Sequence, residues 1–277
     1  MPSKYIPVKR VLSDNEKAPL ADLRTTKRAL RLFSPASFRM QGFESGGGIK
    51  SALAAIFDLQ GFTIFCSQSD PHLSVPAFID SFINWLFREI GELSIERKTD
   101  KNVYLYNSLP FFAKFLGDGV LFLWDVDYKG VKDFCTKHGY DPDEEIQGDI
   151  GNIISVLFDV CNNYSIKLMP KLARSYSRVP QKLRCGVAQG LVCSLGNEAD
   201  YVGPCINMAA RLQKLGGLGM CVSMKGIDLN LNPSKRLGRL LVPKKATVRG
   251  VGEELVYVVK KQYDALSKKQ KADFLEP

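Results

Sequence analysis

The chain alternates between short apolar runs and longer stretches in which apolar residues recur at helical spacing. The run "KSALAAIFDL" (50–59) predicts a buried strand, and "VPAFIDSFINWLFREIGELS" (75–94) and "GDIGNIISVLFDVCNNYSIKLMPKL" (148–172) predict two long helices with apolar faces. The stretch "PFFAKFLGDGVLFLWDVD" (110–127) predicts two strands folded about Gly117-Asp118-Gly119, because Asp-Gly between apolar runs is a strong hairpin signal.

The second half of the chain continues this alternation. "KLRCGVAQGLVCSLG" (182–196) predicts a pair of strands around a Gln-Gly turn, and "INMAARLQKLG" (206–216) predicts a short helix that stops at Gly216. "KATVRGVGEELVYVV" (245–259) predicts closing strands. Together these elements predict an α+β fold of ferredoxin-like topology with additions, in which a mixed sheet is covered by helices.

The predicted strands and helices lie in one central region. Residues 1–48 are predicted to form an N-terminal extension, with helical spacing in "PLADLRTTKRALRLF" (19–33) and a flexible joint at Gly46–Gly48. Residues 49–262 would form one domain, and residues 263–277 a C-terminal tail.

Composition and charge limit the classes of function. The 277 residues are 45% hydrophobic and 24% charged, which is typical of a globular protein. The net charge of +9 favours an anionic ligand. The sequence lacks the interleaved basic and aromatic residues of a nucleic-acid surface, so we expect no nucleic acid as partner.

Few residues are available for zinc or nucleophilic chemistry. The chain has two His and seven Cys, and no pair of Cys has C-x-x-C spacing. Neither a zinc site nor a Ser-His-Asp triad is therefore favoured, and we expect buried free thiols of a reducing compartment. No apolar run approaches the ~20 residues that span a bilayer, and the N-terminus is too polar for a signal peptide. We therefore expect a cytoplasmic protein with no membrane partner.

Two carboxylates stand at the ends of predicted strands. Asp58 ends an apolar run, and Asp118 lies in the turn of the predicted hairpin. Each alone is typical of a helix cap or a turn. If their strands are neighbours, both carboxylates reach the same edge of the sheet and offer the oxygen ligands that Mg²⁺ or Mn²⁺ prefers. The turn that follows Asp58, residues 60–63, could then hold a polyphosphate through its backbone N–H groups.

Five segments, in this order along the chain, resemble motifs of the class III nucleotidyl cyclases. They are "FDLQGFT", "KFLGDGVLFLW", "LRCGVAQGLV", "DYVGPCINMAARL" and "ATVRGVGEELVYVV". The resemblance implies the class III cyclase catalytic fold. It also implies a lyase that converts a nucleoside triphosphate into a 3′,5′-cyclic mononucleotide and diphosphate with two Mn²⁺ or Mg²⁺ ions per active site.

The resemblance also implies a role for each matching residue. Metal ligands would be the carboxylates of Asp58 and Asp118 and the backbone carbonyl of Leu59. Asn207 would orient the ribose, and Arg211 would stabilise charge that develops at the α-phosphorus. The base would be contacted by Lys114 and Asp200. The phosphates would be contacted by Gln60, Gly61, Phe62, Thr63 and Arg249.

In this family the site lies between two chains, with the aspartates on one chain and the base-selecting pair, the Asn and the Arg on its partner. Because this chain carries both sets, the resemblance implies a homodimer with composite active sites. The alternative is a cyclase fold that has lost catalysis and only binds nucleotides. Absence of either Asp, of the Asn or of the Arg would favour this alternative, but Asp58, Asp118, Asn207 and Arg211 are all present.

The base remains open at the level of sequence. Lys114 can donate and Asp200 can accept, which suits adenine, cytosine or uracil. Aromatic residues that could narrow the pocket are Phe57, Phe62, Phe115 and Tyr201, although each could equally belong to the core.

The layout of the chain carries a second resemblance. A single cyclase unit with an insert at 126–149 resembles the stand-alone pyrimidine nucleotide cyclases of bacterial anti-phage (Pycsar) systems. This favours UTP as substrate and cyclic UMP as a second messenger that a separate cyclic-nucleotide-binding effector reads. A cytidylate cyclase and an adenylate cyclase are the alternatives.

Overall fold

The computed structural model describes residues 48–68, 70–99, 102–105, 107–126, 128–195, 198–231, 235–272 and 274–275. The helix predicted at 19–33, like the rest of the extension up to residue 47, lies outside the described residues.

Eleven strands lie in the described residues. Those in the described residues are β1 Ile49–Gln60, β2 Ile95–Thr99, β3 Asn102–Leu105, β4 Phe112–Phe115, β5 Gly119–Asp125, β6 Lys182–Leu195, β7 Asp200–Val202, β8 Met220–Ser223, β9 Leu241–Val248, β10 Gly252–Val259 and β11 Phe274–Leu275.

The helices are of very different lengths. Those in the described residues are α1 Phe62–Cys66, α2 Pro71–Leu93, α3 Tyr128–His138, α4 Pro142–Asn163, α5 Met169–Leu172, α6 Pro204–Leu212, α7 Lys235–Leu240, α8 Lys260–Asp264 and α9 Lys268–Lys271, with a π-helical turn Tyr164–Leu168 between α4 and α5 and a 3₁₀ turn Leu215–Gly217.

One large sheet organises the molecule. Its strand order is β11-β9-β10-β8-β6-β1-β5-β4, and β7 pairs with the end of β6. The β6–β8 pair is parallel and the other pairs are antiparallel, so the sheet is mixed, as predicted. Strands β2 and β3 form a separate hairpin that the sequence analysis missed.

Helices cover both faces of this sheet. Along β1, Leu53, Ala55 and Phe57 pack into the core beneath α2 and α4. Ala54 and Ile56 point to the opposite face, where they join the cluster beneath α6. This alternation is the two-residue period of a strand, and it places Asp58 on the α6 face.

The long helices begin earlier than the apolar pattern predicted. The side chain of Asp141 accepts hydrogen bonds from the backbone N–H groups of Asp143, at 2.8 Å, and Glu144, at 3.2 Å. Pro142 occupies the first helical turn, where the absence of an N–H donor costs nothing. The capped start of α4 therefore lies within the segment that the sequence analysis treated as an insert.

The predicted strand pair at 182–196 is wrong. Gln189 and Gly190 lie inside the continuous strand β6, paired with Leu53 and Ala52 of β1. Strand β1 offers β6 a partner along twelve residues, and this ladder outweighs the local turn preference of Gln-Gly. Gly190 also favours close packing of α6, since a Cβ there would lie 3.2 Å from the Cβ of Cys205, which is a tight contact.

The seven Cys all lie in the described residues and are free thiols, five of them buried, as predicted. In the part of the chain that the structure describes, no helix has both the length and the apolar character needed to cross a bilayer.

Candidate active site

Asp58 and Asp118 are neighbours in the sheet, as the metal-site hypothesis required. Asp58 lies near the end of β1 and pairs with Gly119, the first residue of β5. The backbone N–H of Leu59 donates to the carbonyl of Asp118 at 3.0 Å. Close approach of the two strands depends on Gly119, because a Cβ at this position would lie 1.9 Å from the carbonyl oxygen of Phe57.

Arg184 is a site residue that the sequence analysis missed. It lies opposite Asp58 in the β1–β6 ladder, and its Nε donates to Oδ2 of Asp58 at 3.0 Å. Its Nη2 donates to the same oxygen, so the buried carboxylate is neutralised. The available signal was that Arg184 opens the "RCGVAQG" motif on the strand next to β1.

The donor set suits a hard divalent cation. Asp118 is exposed, and its charge adds to burial in raising the pKa of the Cys66 thiol at the end of α1. Among the described residues no cluster of three or more His, Cys, Asp or Glu could hold a metal. Two carboxylates and the Leu59 carbonyl fit Mg²⁺ or Mn²⁺, which complete their coordination with water and phosphate oxygens.

The turn after Asp58 places a left-handed glycine directly before helix α1. Gly61 has φ of 93°, a left-handed conformation that favours glycine, and α1 begins at the next residue. Phe62 packs on Phe65 and Phe78 with ring centroids 5.9 and 6.0 Å apart, so its side chain anchors the turn to the core. Gln60 and Thr63 are exposed.

Lys114 and Asp200 come together from distant parts of the chain. The ammonium group of Lys114, in β4, forms an ion pair with Oδ2 of Asp200, at the start of β7. Tyr201 packs against the rings of Phe111 and Phe112, with centroids 5.3 and 4.9 Å apart, and this holds β7 near β4.

Only one of the four aromatics considered for the base pocket lies beside this ion pair. Phe57 and Phe62 belong to the core beneath α2 and α4, and Phe115 packs against that same core. Tyr201 alone of the four belongs to the cluster on the α6 face, next to Asp200.

Helix α6 carries Asn207 and Arg211, one turn apart and both exposed. The guanidinium of Arg211 donates to the backbone carbonyl of Arg249 in the turn between β9 and β10. Glycine lets α6 lie directly on β6, because a Cβ at Gly186 would be 2.1 Å from the carbonyl oxygen of Ala209. The three residues assigned to ribose and phosphates therefore share one surface.

The site residues thus form two groups. The metal-side group consists of Asp58, Leu59, Asp118 and the turn 60–63. The base-side group consists of Lys114, Asp200, Asn207, Arg211 and Arg249. Among the described residues no hydrogen bond or ion pair joins one group to the other.

The strand register shows how far Arg249 lies from Asp58. Pairing from β1 through β6 and β8 places Asp58 level with the last residues of β10. Arg249 precedes Gly252, the first residue of that strand. Eight residues at ~3.3 Å each correspond to roughly 25 Å along the sheet.

No family model matches the chain, and no curated protein sequence matches it. Solved structures do share its fold at low sequence identity. A bacterial light-regulated adenylyl cyclase matches with a TM-score of 0.53 and 15% identity over 87% of this chain and 62% of that chain. The catalytic core of a rhodopsin-guanylyl cyclase with converted specificity, in complex with ATPαS, matches with a TM-score of 0.50 and 14% identity over 78% of this chain and 98% of that chain. The described residues therefore have the class III nucleotidyl cyclase fold, which confirms the predicted fold.

Proposed function

We propose that this protein is a metal-dependent nucleotide cyclase, which converts a nucleoside triphosphate into a 3′,5′-cyclic mononucleotide and diphosphate. The observation that carries this proposal is the meeting of Asp58 and Asp118 at one edge of a cyclase-type sheet. The base-side group supports it, because Lys114 pairs with Asp200 and Arg211 contacts Arg249, and these side chains include the donors and acceptors that a nucleotide needs.

In the reaction, the ribose 3′-oxygen loses its proton and attacks the α-phosphorus, and the bond from this phosphorus to the diphosphate oxygen breaks. Mg²⁺ or Mn²⁺ held by Asp58 and Asp118 would supply Lewis-acid activation of the 3′-oxygen and neutralise phosphate charge. Arg211 would donate to the oxygens of the five-coordinate phosphorus, for which its planar fork is suited. Asn207 would fix the ribose, while the turn 60–63 and Arg249 hold the departing phosphates.

The distance between Asp58 and Arg249 supports a homodimer with shared sites. The metal-side group of one chain would face the base-side group of its partner, so that both sets contact one substrate. Exposure of Asp118, Asn207 and Arg211 in the single chain is consistent with this arrangement. Loss of either group should then abolish activity.

Mixing of variants tests the shared site. Asp58→Ala and Arg211→Ala should each be inactive, yet an equal mixture of refolded chains should recover about a quarter of wild-type activity. Random mixing gives half heterodimers, and each of these has one intact site out of two. A mixture of Asp58→Ala with Asp118→Ala is the matched control and should stay inactive, because both changes damage the same group. No recovery in proven heterodimers of the first mixture would contradict the shared site.

For the base we favour UTP, with cyclic UMP as the product and an antiviral second messenger read by a separate effector. The support is the stand-alone layout and motif set of the chain, together with a Lys114–Asp200 pair that offers one donor and one acceptor. CTP suits the same pair, and adenylate cyclase activity is the alternative because adenine also suits it.

The test is incubation of the full chain with ATP, GTP, CTP and UTP and Mn²⁺, followed by identification of cyclic products by mass. Cyclic UMP as the main product is the expected result. Cyclisation of ATP alone would overturn the pyrimidine assignment, and binding without any cyclic product would favour a nucleotide-binding module instead.

A further inference from the structure

Arg184 occupies Oδ2, one of the two carboxylate oxygens that Asp58 could offer to a metal ion. The side chain of Asp58 is 8% exposed and that of Arg184 is 18% exposed, so solvent screens their attraction weakly. Both Nε and Nη2 of Arg184 donate to Oδ2 of Asp58. A guanidinium is not deprotonated in proteins, so it can release the carboxylate only by moving.

We propose that Arg184 competes with the divalent cation for Asp58, so that a metal ion gains full use of this carboxylate only when Arg184 moves away. This inference rests on the proposed function, since it assigns the same carboxylate to the metal. It makes Arg184 a positioning residue that sets metal affinity, in addition to balancing a buried charge.

The surroundings of Arg184 give its movement a cost. Lys182 lies two residues away on the same face of β6, roughly 7 Å along the strand. Its ammonium group donates to the carbonyl of Gly217 at 2.9 Å, so it remains a fixed neighbouring cation. If Arg184 left Asp58, its guanidinium would lose its carboxylate partner and would still be close to the positive charge of Lys182. A polyphosphate at the adjacent turn 60–63 would offset this repulsion, so metal and nucleotide should bind with positive coupling.

The experiment measures Mn²⁺ binding to the full chain without nucleotide, by isothermal titration calorimetry. Arg184→Gln should bind Mn²⁺ about tenfold more tightly than wild type or better, because a hydrogen-bonded charge pair no longer has to be broken. Lys182→Gln is the matched control and should change the affinity less than about threefold. Its side chain is on the same strand and face, but in the part of the chain that the structure describes it makes no hydrogen bond or ion pair with Asp58. Asp58→Asn should abolish binding.

Arg184→Lys is a second variant that keeps the proposal testable if Arg184→Gln misfolds. It keeps the positive charge but lacks the fork that reaches Oδ2 with two donors, so a smaller gain in affinity is expected. Structural damage alone would weaken metal binding in both variants, in contrast to the tightening expected here.

Three results separate failure of this inference from failure of the proposed function. Equal or weaker Mn²⁺ binding by both Arg184 variants, with binding still lost in Asp58→Asn, would refute the competition and keep the metal site. An equal gain in Lys182→Gln and Arg184→Gln would also refute it, because a general field effect would explain both. Absence of Mn²⁺ binding in wild type with and without a non-cyclisable nucleotide would overturn the metal-dependent function itself.

Discussion

Replacement of Gly119 by alanine tests whether close strand contact holds the two carboxylates together. A Cβ at this position would lie 1.9 Å from the carbonyl oxygen of Phe57 and 3.3 Å from the Cα of Asp58. Real Cβ contacts are essentially never below 3.0 Å, so β5 would have to move by at least 3.0 − 1.9 = 1.1 Å. The obstructing atoms are backbone, which cannot rotate away as a side chain can.

Such a shift should cost stability and activity together. Overpacking in a well-packed core typically costs about 1–3 kcal/mol, which corresponds to a fall in Tm of roughly 3–9 °C for a domain of this size. Asp118 precedes Gly119 directly, so the shift would also displace its carboxylate. A misplacement of about 1 Å at reacting groups can cost about 10²-fold in rate.

The assay compares urea unfolding, Mn²⁺ binding and cyclase turnover of Gly119→Ala with wild type. Gly238→Ala is the control, because no heavy atom lies within 4 Å of a Cβ there and the residue is in helix α7. Alanine at this helical position should stabilise by about 0.5–1 kcal/mol and leave turnover unchanged. A Gly119→Ala protein with wild-type stability and turnover would refute the claim that tight β1–β5 contact positions the carboxylates.

Two further predictions concern stability. Tyr164→Phe should lower the free energy of unfolding by about 1–3 kcal/mol, since its buried hydroxyl donates to the carbonyl of Pro180 at 2.7 Å, and urea unfolding with no change would contradict this bond. Burial, with a smaller effect from the charge of Glu145, raises the pKa of Asp149 to about 8. The folded protein therefore holds a proton there that the unfolded chain loses near pH 4, and stability from this group falls as pH rises from about 4 to about 8. The gain in unfolding free energy from Asp149→Asn should thus be near zero at pH 4 and at least about 1 kcal/mol at pH 8.5, and an equal gain at both would contradict the assignment.

Local signals in the sequence predicted much of the sheet and both long helices. The apolar run before Asp58 and the Asp-Gly turn at Asp118 are short-range patterns, and β1, β4 and β5 follow from them. Apolar periodicity likewise predicted the bodies of α2 and α4, although not their starts. The Gln189-Gly190 turn was predicted wrongly because a long partner strand, invisible in a local window, keeps β6 extended.

The residues of the candidate site also divide into those that local motifs predicted and one that only the tertiary structure revealed. Motif matching identified the acids and the residues of the base-side group one by one, since each is defined by its immediate neighbours in the chain. Arg184 was missed because its role depends on Asp58, 126 residues away, and only the β1–β6 register places them opposite each other.

By itself, the sequence predicted the α+β class, and its motifs nominated most residues of the candidate site, because residue type and short-range periodicity can be read from a local segment. Tertiary structure alone decided that Gly119 brings the acids together, that Lys114 meets Asp200 and that Arg184 neutralises Asp58. These are contacts between segments distant in the chain. They depend on strand order and register, which the packing of the whole sheet sets rather than any one segment.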